Sequence, residues 1–368
     1  MRKIAVVFLA MLLASCSTLH PDKDFFAKKV SYSKLDGWTD DEFTEVLPAL
    51  KKTCENPKWQ WKKFCDGLSD FDDSSSNRQI RRYIEKNLTP YAVYSYGSDK
   101  GTFTGYYEAS LTGSFEKQND NQYPIYALPD NLIRLDTRTV CQPGGDTGTV
   151  IGRVEGGRML PYWTRKDITP ENVRAPVLVW ADDEVDAFIL HIQGSGRVET
   201  PDGVVHIGYA GNNGHGFVGI GSIMAAEGLL QSGKSSMPHI RKWLKENPDE
   251  ARDLMNRNPR YIFFKILPQS DGPIGAAGVS LTPQRSIAVD TTYIPLGTPV
   301  FLDTKDPDGE VIQKTVVAQD IGSAIKGGIR ADYFWGYGED AFDKAGRMKS
   351  VGRYFILWPN GLKPPVER

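Results

Sequence analysis

Apolar positions along this chain follow two rhythms. Between Arg78 and Leu88 the residues Ile80, Tyr83, Ile84 and Leu88 fall near one helical face. Upstream, Thr39-Asp-Asp-Glu42 has the form of a capping box and predicts a helix running towards Cys54, kinked at Pro48. The acidic, serine-rich stretch from Asp70 to Asn77 is expected to be a loop. From Tyr91 to Val205 the rhythm changes to aromatic and β-branched runs broken by Gly, Pro and Asp, the signature of strands. Phe217–Leu230 and Met237–Asn258 read as the longest helices, and from Tyr261 the strand signals continue almost to the end. Many short strands with Gly/Pro turns predict a mainly β fold built on barrels, not a doubly wound sheet.

The N-terminus departs from both rhythms. Arg2 and Lys3 precede an apolar run from Ile4 to Ala14, then Ser15 and Cys16. A charged start, a short hydrophobic stretch and small residues make an export signal, too short for a permanent span of about 20 residues. Cys16 after Leu13-Ala-Ser15 resembles a bacterial lipobox, in which that cysteine is acylated and becomes the first mature residue. Two or more acyl chains hold a protein stably on a membrane face. Ser17, where an Asp would retain the protein at the inner membrane, points by analogy to the outer membrane. Residues 17–35 are polar and irregular, as expected of a link between anchor and body.

The 368 residues allow two domains or one large one, and a formal charge of −2 offers no basic stripe for nucleic acid. In an oxidising compartment Cys54 and Cys65 are free to pair, leaving Cys141 over; three buried thiols are the alternative. His191, His206, His215 and His239 never take a paired zinc-binding spacing, so no metal is expected. There is no Gly-x-Ser-x-Gly elbow and no phosphate-binding Walker loop. Gly194-Ser-Gly196 runs into Arg197-Val-Glu199 and a Pro-Asp-Gly turn, which fits a hairpin or a substrate-facing loop and not a dinucleotide fingerprint. No cofactor is called for.

Three aspartates dominate the C-terminal region: Asp290 in Ser286-Ile-Ala-Val-Asp290, Asp320 in Val316-Val-Ala-Gln-Asp320, and Asp332 in Gly328-Ile-Arg-Ala-Asp332. The last runs straight into Tyr333, Phe334, Trp335 and Tyr337. A carboxyl group protonates a glycosidic oxygen, and aromatic faces cover the apolar faces of sugar rings.

Around these lie long specific stretches in a fixed order: Gly105-Tyr-Tyr-Glu108, Tyr123-Pro-Ile-Tyr126, Gly152–Tyr162, Ile192–Val198, Gly208–His215, Asn258–Phe264, Gly278–Ser286 and Ile294–Thr298. Together with the three aspartates they closely resemble the membrane-bound lytic murein transglycosylase A family, from about Gly105 to Leu357. The resemblance implies a double-psi β-barrel with a second, mostly β domain inserted into it and a glycan groove between the two. On this chain it implies a signal segment over 1–16, barrel segments over 17–108 and 266–368, and an insertion over 109–265. It also implies cleavage of the β-1,4 bond between N-acetylmuramic acid and N-acetylglucosamine in peptidoglycan, at strand ends or within strands, leaving 1,6-anhydromuramyl ends. Location would be the periplasmic side of the outer membrane, with wall-synthesis complexes as possible partners.

By the same resemblance Asp332 is the catalytic acid, Asp320 its charged or hydrogen-bonding partner, and Asp290 a supporting residue. Tyr106, Gln193, Ser195, Lys326, Tyr333 and Trp335 are the expected substrate contacts, while Gly194, Gly196, Gly327 and Gly328 serve tight turns. Ile321 stands where relatives commonly carry threonine. Two rivals are weighed against this reading. One is an inverting hydrolase using Asp332 as acid and Asp320 as base. The other is a wall-binding lipoprotein without activity.

Overall fold

The computed structural model describes residues 25–120, 122–137, 148–231, 236–268, 272–322 and 324–365. Cys16 with its signal segment, and Cys141, lie outside the described residues. The chain opens with β1 (Phe26–Lys29), α1 (Phe43–Cys54), α2 (Lys62–Leu68), α3 (Asn77–Asn87), β2 (Leu88–Tyr94) and the long β3 (Gly101–Ser114). A middle stretch carries β4 (Tyr123–Tyr126), β5 (Ile133–Asp136), β6 (Thr149–Glu155), β7 (Arg158–Pro161), β8 (Val177–Ala181) and α4 (Glu184–Gln193). It continues with β9 (Gly196–Thr200), β10 (Gly203–Asn212), α5 (Ile220–Ala226), α6 (Met237–Glu246), α7 (Pro248–Asn256) and β11 (Ile262–Ile266). The last stretch adds β12 (Ser286–Val289), β13 (Pro299–Lys305), β14 (Val311–Asp320), β15 (Arg330–Tyr337), α8 (Gly338–Arg347) and β16 (Lys349–Pro359).

Six strands close into a barrel in the order β16-β13-β14-β12-β15-β3, with β3 returning to β16. The pairings β12–β14 and β15–β3 are parallel and the other four antiparallel. Closure leaves none of these strands with an unpaired edge. One face of the strands carries Phe103, Ile287, Val289, Ala331 and Tyr333 into a buried core that α1 and α3 also help to fill. The long β3 then leaves the barrel: its residues up to Glu108 pair with β15, whereas Ala109–Thr112 pair in parallel with β9. A second core lies beyond this crossing, formed by β3, β8 and β9 with α4, α6 and α7, and Phe342 and Ala345 of α8 pack into it from the barrel side.

Several expected elements shift. The capping box at Thr39 is not made; α1 starts at Phe43, whose N–H is capped by the Asn77 side chain from α3. A true capping box sits instead at Ser76 and Gln79, at the head of α3. The stretch Met237–Asn258 splits at Asn247-Pro248, because a residue before proline is pushed out of helical geometry; Asn247 has φ −129° and ψ 63°. The Phe217–Leu230 helix shrinks to α5. α4, in a region read as strands, and α8 were not expected: α4 is apolar nearly all round and buries six of its ten residues, so it lacks an amphipathic stripe. Cys54 and Cys65 form a disulfide with Cα atoms 5.2 Å apart, tying α1 to α2.

Candidate active site

Strand register builds the site. Asp320 on β14 lies opposite Ala288 on β12, Ala288 opposite Asp332 on β15, and Asp332 opposite Thr104 on β3. Residues opposite one another share a face of the sheet, and each strand step is about 4.8 Å, so the two aspartates flank Ala288 with Cα atoms roughly 10 Å apart. The methyl side chain of Ala288 leaves the space between them open. Asp320, Ala288 and Asp332 line a cavity of about 340 Å³ together with Tyr106, Phe334, Gln193 and Ser195. The last two come from the other side: Gln193 ends α4, and Ser195 follows Gly194, whose φ of 80° turns the chain out of the helix. Loop residues Pro273 and Ile274 and the exposed Ile321 complete the wall.

Asp332 is held by a short relay. The Arg330 Nη2 donates to Thr104 Oγ1 at 2.8 Å, so the threonine hydroxyl proton is free to point at Asp332 Oδ1, 2.5 Å away. Burial pushes the Asp332 carboxyl above the ordinary aspartate range; the Thr104 bond and the Arg330 charge oppose this, and the Asp320 charge adds to it. Asp320 is also raised, again by burial, against N–H donation from Ile321 and Ala276 and the nearby Tyr106 hydroxyl. The Ala276 bond measures 3.0 Å. The Tyr106 hydroxyl is buried and meets strict hydrogen-bond geometry with no group, yet lies close enough to Asp320 for each to shift the other's ionisation. A carboxyl group whose hold on its proton is strengthened by burial beside a polar cavity is suited to general acid work.

Other expected site residues lie elsewhere. Tyr333 alternates with Asp332 along β15 and therefore points into the barrel core; it is 1% exposed and its hydroxyl donates to the Gln284 carbonyl at 3.0 Å. Trp335 shares that direction and stands edge-on to Tyr333 at 5.0 Å, against Gly105. Neither lines the cavity; Phe334 is the aromatic of this run that faces it. Asp290 is buried in a turn, accepting from Thr292 N at 3.0 Å and Gly327 N at 2.9 Å. Burial pushes its carboxyl up, but those N–H donors outweigh it and the net displacement is downward. Lys326 is exposed beside Asp290 and away from the cavity lining.

Thr104 and Arg330 were missed in the sequence, although each stands two residues before a residue already singled out, Tyr106 and Asp332, and two residues is the repeat of a strand face. Nearby, the buried Glu108 accepts from Arg197 Nε at 3.0 Å and Nη2 at 2.6 Å and faces His206 Nδ1 at 3.2 Å. The Arg197 guanidinium also lies 3.4 Å from the ring centre of Tyr337 on β15. This cluster clamps the strand that follows Ser195 to the barrel.

Family models of the MltA specific insert domain and the 3D domain match residues 102–265 and 285–358. A crystal structure of MltA from Neisseria gonorrhoeae is 36% identical to this chain with a TM-score of 0.85, covering 94% of this chain and 96% of that one. A lytic transglycosylase of Burkholderia pseudomallei is 38% identical with a TM-score of 0.68, covering 91% of this chain and 96% of that one. Membrane-bound lytic murein transglycosylase A of Escherichia coli K12 is 31% identical over 265 residues; the match takes in 69% of this chain and spans 65% of that relative's length. With both family models matched in order, and likeness to the Neisseria structure over nearly the whole of both chains, this chain belongs to the membrane-bound lytic murein transglycosylase A family.

Proposed function

We propose that this protein is a lytic transglycosylase that cleaves the β-1,4 bond between N-acetylmuramic acid and N-acetylglucosamine in peptidoglycan. The observation that carries the reading is Asp332, half-buried at a cavity wall with its carboxyl displaced towards the protonated form. Asp332 gives its proton to the leaving glycosidic oxygen as the C1–O bond breaks. The C6 hydroxyl of the same muramyl residue attacks C1 and returns a proton to the Asp332 carboxylate, forming the 1,6-anhydro ring. No water is consumed and the acid is regenerated. Because the nucleophile belongs to the substrate, effective molarities on the order of 10⁵ M or more replace a second catalytic carboxylate. Asp320 then acts through its charge on Asp332, and Tyr106, Gln193, Ser195 and Phe334 hold the glycan. Asp290 supports the site from a distance by fixing the turn that it shares with Gly327.

The insertion is assigned to residues 109–265 and the barrel to the segments either side. Acylation at Cys16 would hold the enzyme on the periplasmic face of the outer membrane, within reach of the wall. The names of the relatives, membrane-bound lytic murein transglycosylases, support both the activity and the membrane association. The test is digestion of purified peptidoglycan by the chain lacking residues 1–16, beside Asp332→Asn, with mass spectrometry of the new ends. Anhydromuramyl ends from the first and none from the second are expected. Reducing ends would replace this reading with the two-carboxylate hydrolase, and binding without cleavage would replace it with the wall-binding lipoprotein.

A further inference from the structure

A second cavity of about 340 Å³ lies between β4, α4, α7 and the 165–169 loop, and shares no lining residue with the one around the aspartates. Its feature is a set of hydrogen-bond donors without acceptors. Arg165 is fixed by Nε to the Asn258 carbonyl at 3.3 Å and by Nη2 to the Arg260 carbonyl at 2.8 Å. The rings of Phe188 and Tyr261 flank it with centres 4.8 and 5.2 Å from the guanidinium carbon. Among the described residues no carboxylate pairs with it and Nη1 has no acceptor. Burial pulls this guanidinium down to about 10, with the nearby Tyr261 and Glu184 working against the shift.

Three more donor-bearing residues line the same space. His191 Nδ1 accepts the Ile262 N–H at 3.2 Å, which places the ring proton on Nε2, and burial together with the Arg165 charge keeps the ring neutral. Neither that Nε2–H nor the hydroxyls of Tyr126 and Tyr261 has a protein partner among the described residues, and all three residues line the cavity. Tyr126, Tyr261, Arg165 and His191 stand close enough to act on one another's ionisation. These four donors belong to residues that line one cavity, where an acceptor entering from solvent can meet them. Lys166 and Arg252 add positive charge at the lining, against the one carboxylate of Glu184, which Arg252 already holds at 3.0 Å.

We propose that this cavity binds the carboxylate of a short peptide. The free edge of a fixed guanidinium, two phenols and an imidazole N–H match the two oxygens of a carboxylate. Ile168, Met255 and Phe188 give apolar walls for a small side chain, and Glu184 disfavours a phosphate dianion. Two sources supply this group: the peptide stems of the wall polymer, which rests on the function proposed above, or a free peptide in the periplasm.

The test is calorimetric titration of the full-length chain in detergent with N-acetyl-D-alanyl-D-alanine and with its C-terminal amide. The acid should bind at least about tenfold more tightly than the amide. The double variant Tyr126→Phe, Tyr261→Phe, which removes only the two open hydroxyls, should weaken the acid by about tenfold or more. Equal binding of acid and amide, no binding of either, or an unchanged affinity in the double variant would overturn the proposal. Given binding, digestion separates the sources: faster cleavage of stem-bearing than stem-free strands, lost in the double variant, assigns the site to the stems. Equal rates on both assign it to a free peptide. The titration needs no turnover, so failure of the catalytic reading leaves it readable.

Discussion

Replacing Thr104 with valine removes one hydroxyl and leaves the side-chain shape, and the structure says what that hydroxyl does. It accepts from the Arg330 guanidinium, which has no lone pair to return, so its own proton goes to Asp332 Oδ1 at 2.5 Å. That bond favours the ionised carboxyl and strengthens as Asp332 gives up its proton in the transition state. A hydrogen bond to a charged group is worth about 1.5–3 kcal/mol. Losing it at full charge development would slow the reaction about 10–150-fold, and at partial development about 10-fold. The same loss raises the Asp332 pKa further, because the bond had been pulling it down. Activity needs the protonated acid, so the alkaline limb of the pH–rate profile for anhydromuramyl release moves to higher pH. Thr104→Ser keeps the hydroxyl and should stay within a few-fold of the parent. An unchanged rate in Thr104→Val, or an alkaline limb moved to lower pH, would refute the relay.

Asp320→Asn should move the alkaline limb the opposite way, since the Asp320 charge raises the Asp332 pKa; a limb that stays in place would remove Asp320 from that role. Tyr333→Phe loses the bond to the Gln284 carbonyl and should cost about 1 kcal/mol, or roughly 1–2 °C in Tm, with KM unchanged. A raised KM with normal Tm would restore it as a substrate contact. Replacing both Cys54 and Cys65 with alanine opens a loop with a sequence separation of 11 and should cost about 3 kcal/mol; calorimetry showing Tm unchanged would contradict this.

The sequence alone determined much of this protein. Its alternating apolar runs specified strands, its Gly/Pro turns a barrel class, and its ordered motifs the family to which the matched models assign it. It also pointed to Asp320 and Asp332, because a carboxyl in a strand-and-turn setting beside aromatics is a local feature. What it could not decide was direction. Asp332, Tyr333, Phe334 and Trp335 are consecutive, yet alternation sends the first and third to the cavity and the others to the core, and which parity faces out depends on the register with β12 and β3. One residue of slip would exchange the two sets. α4 was hidden for a related reason: a helix buried on nearly all sides has no polar face to give it a period. Gln193 and Ser195 approach the aspartates only because β3 pairs with β15 along one half and with β9 along the other. Tertiary pairing, set by long-range hydrogen bonds, made the site from residues that the sequence could name but not orient.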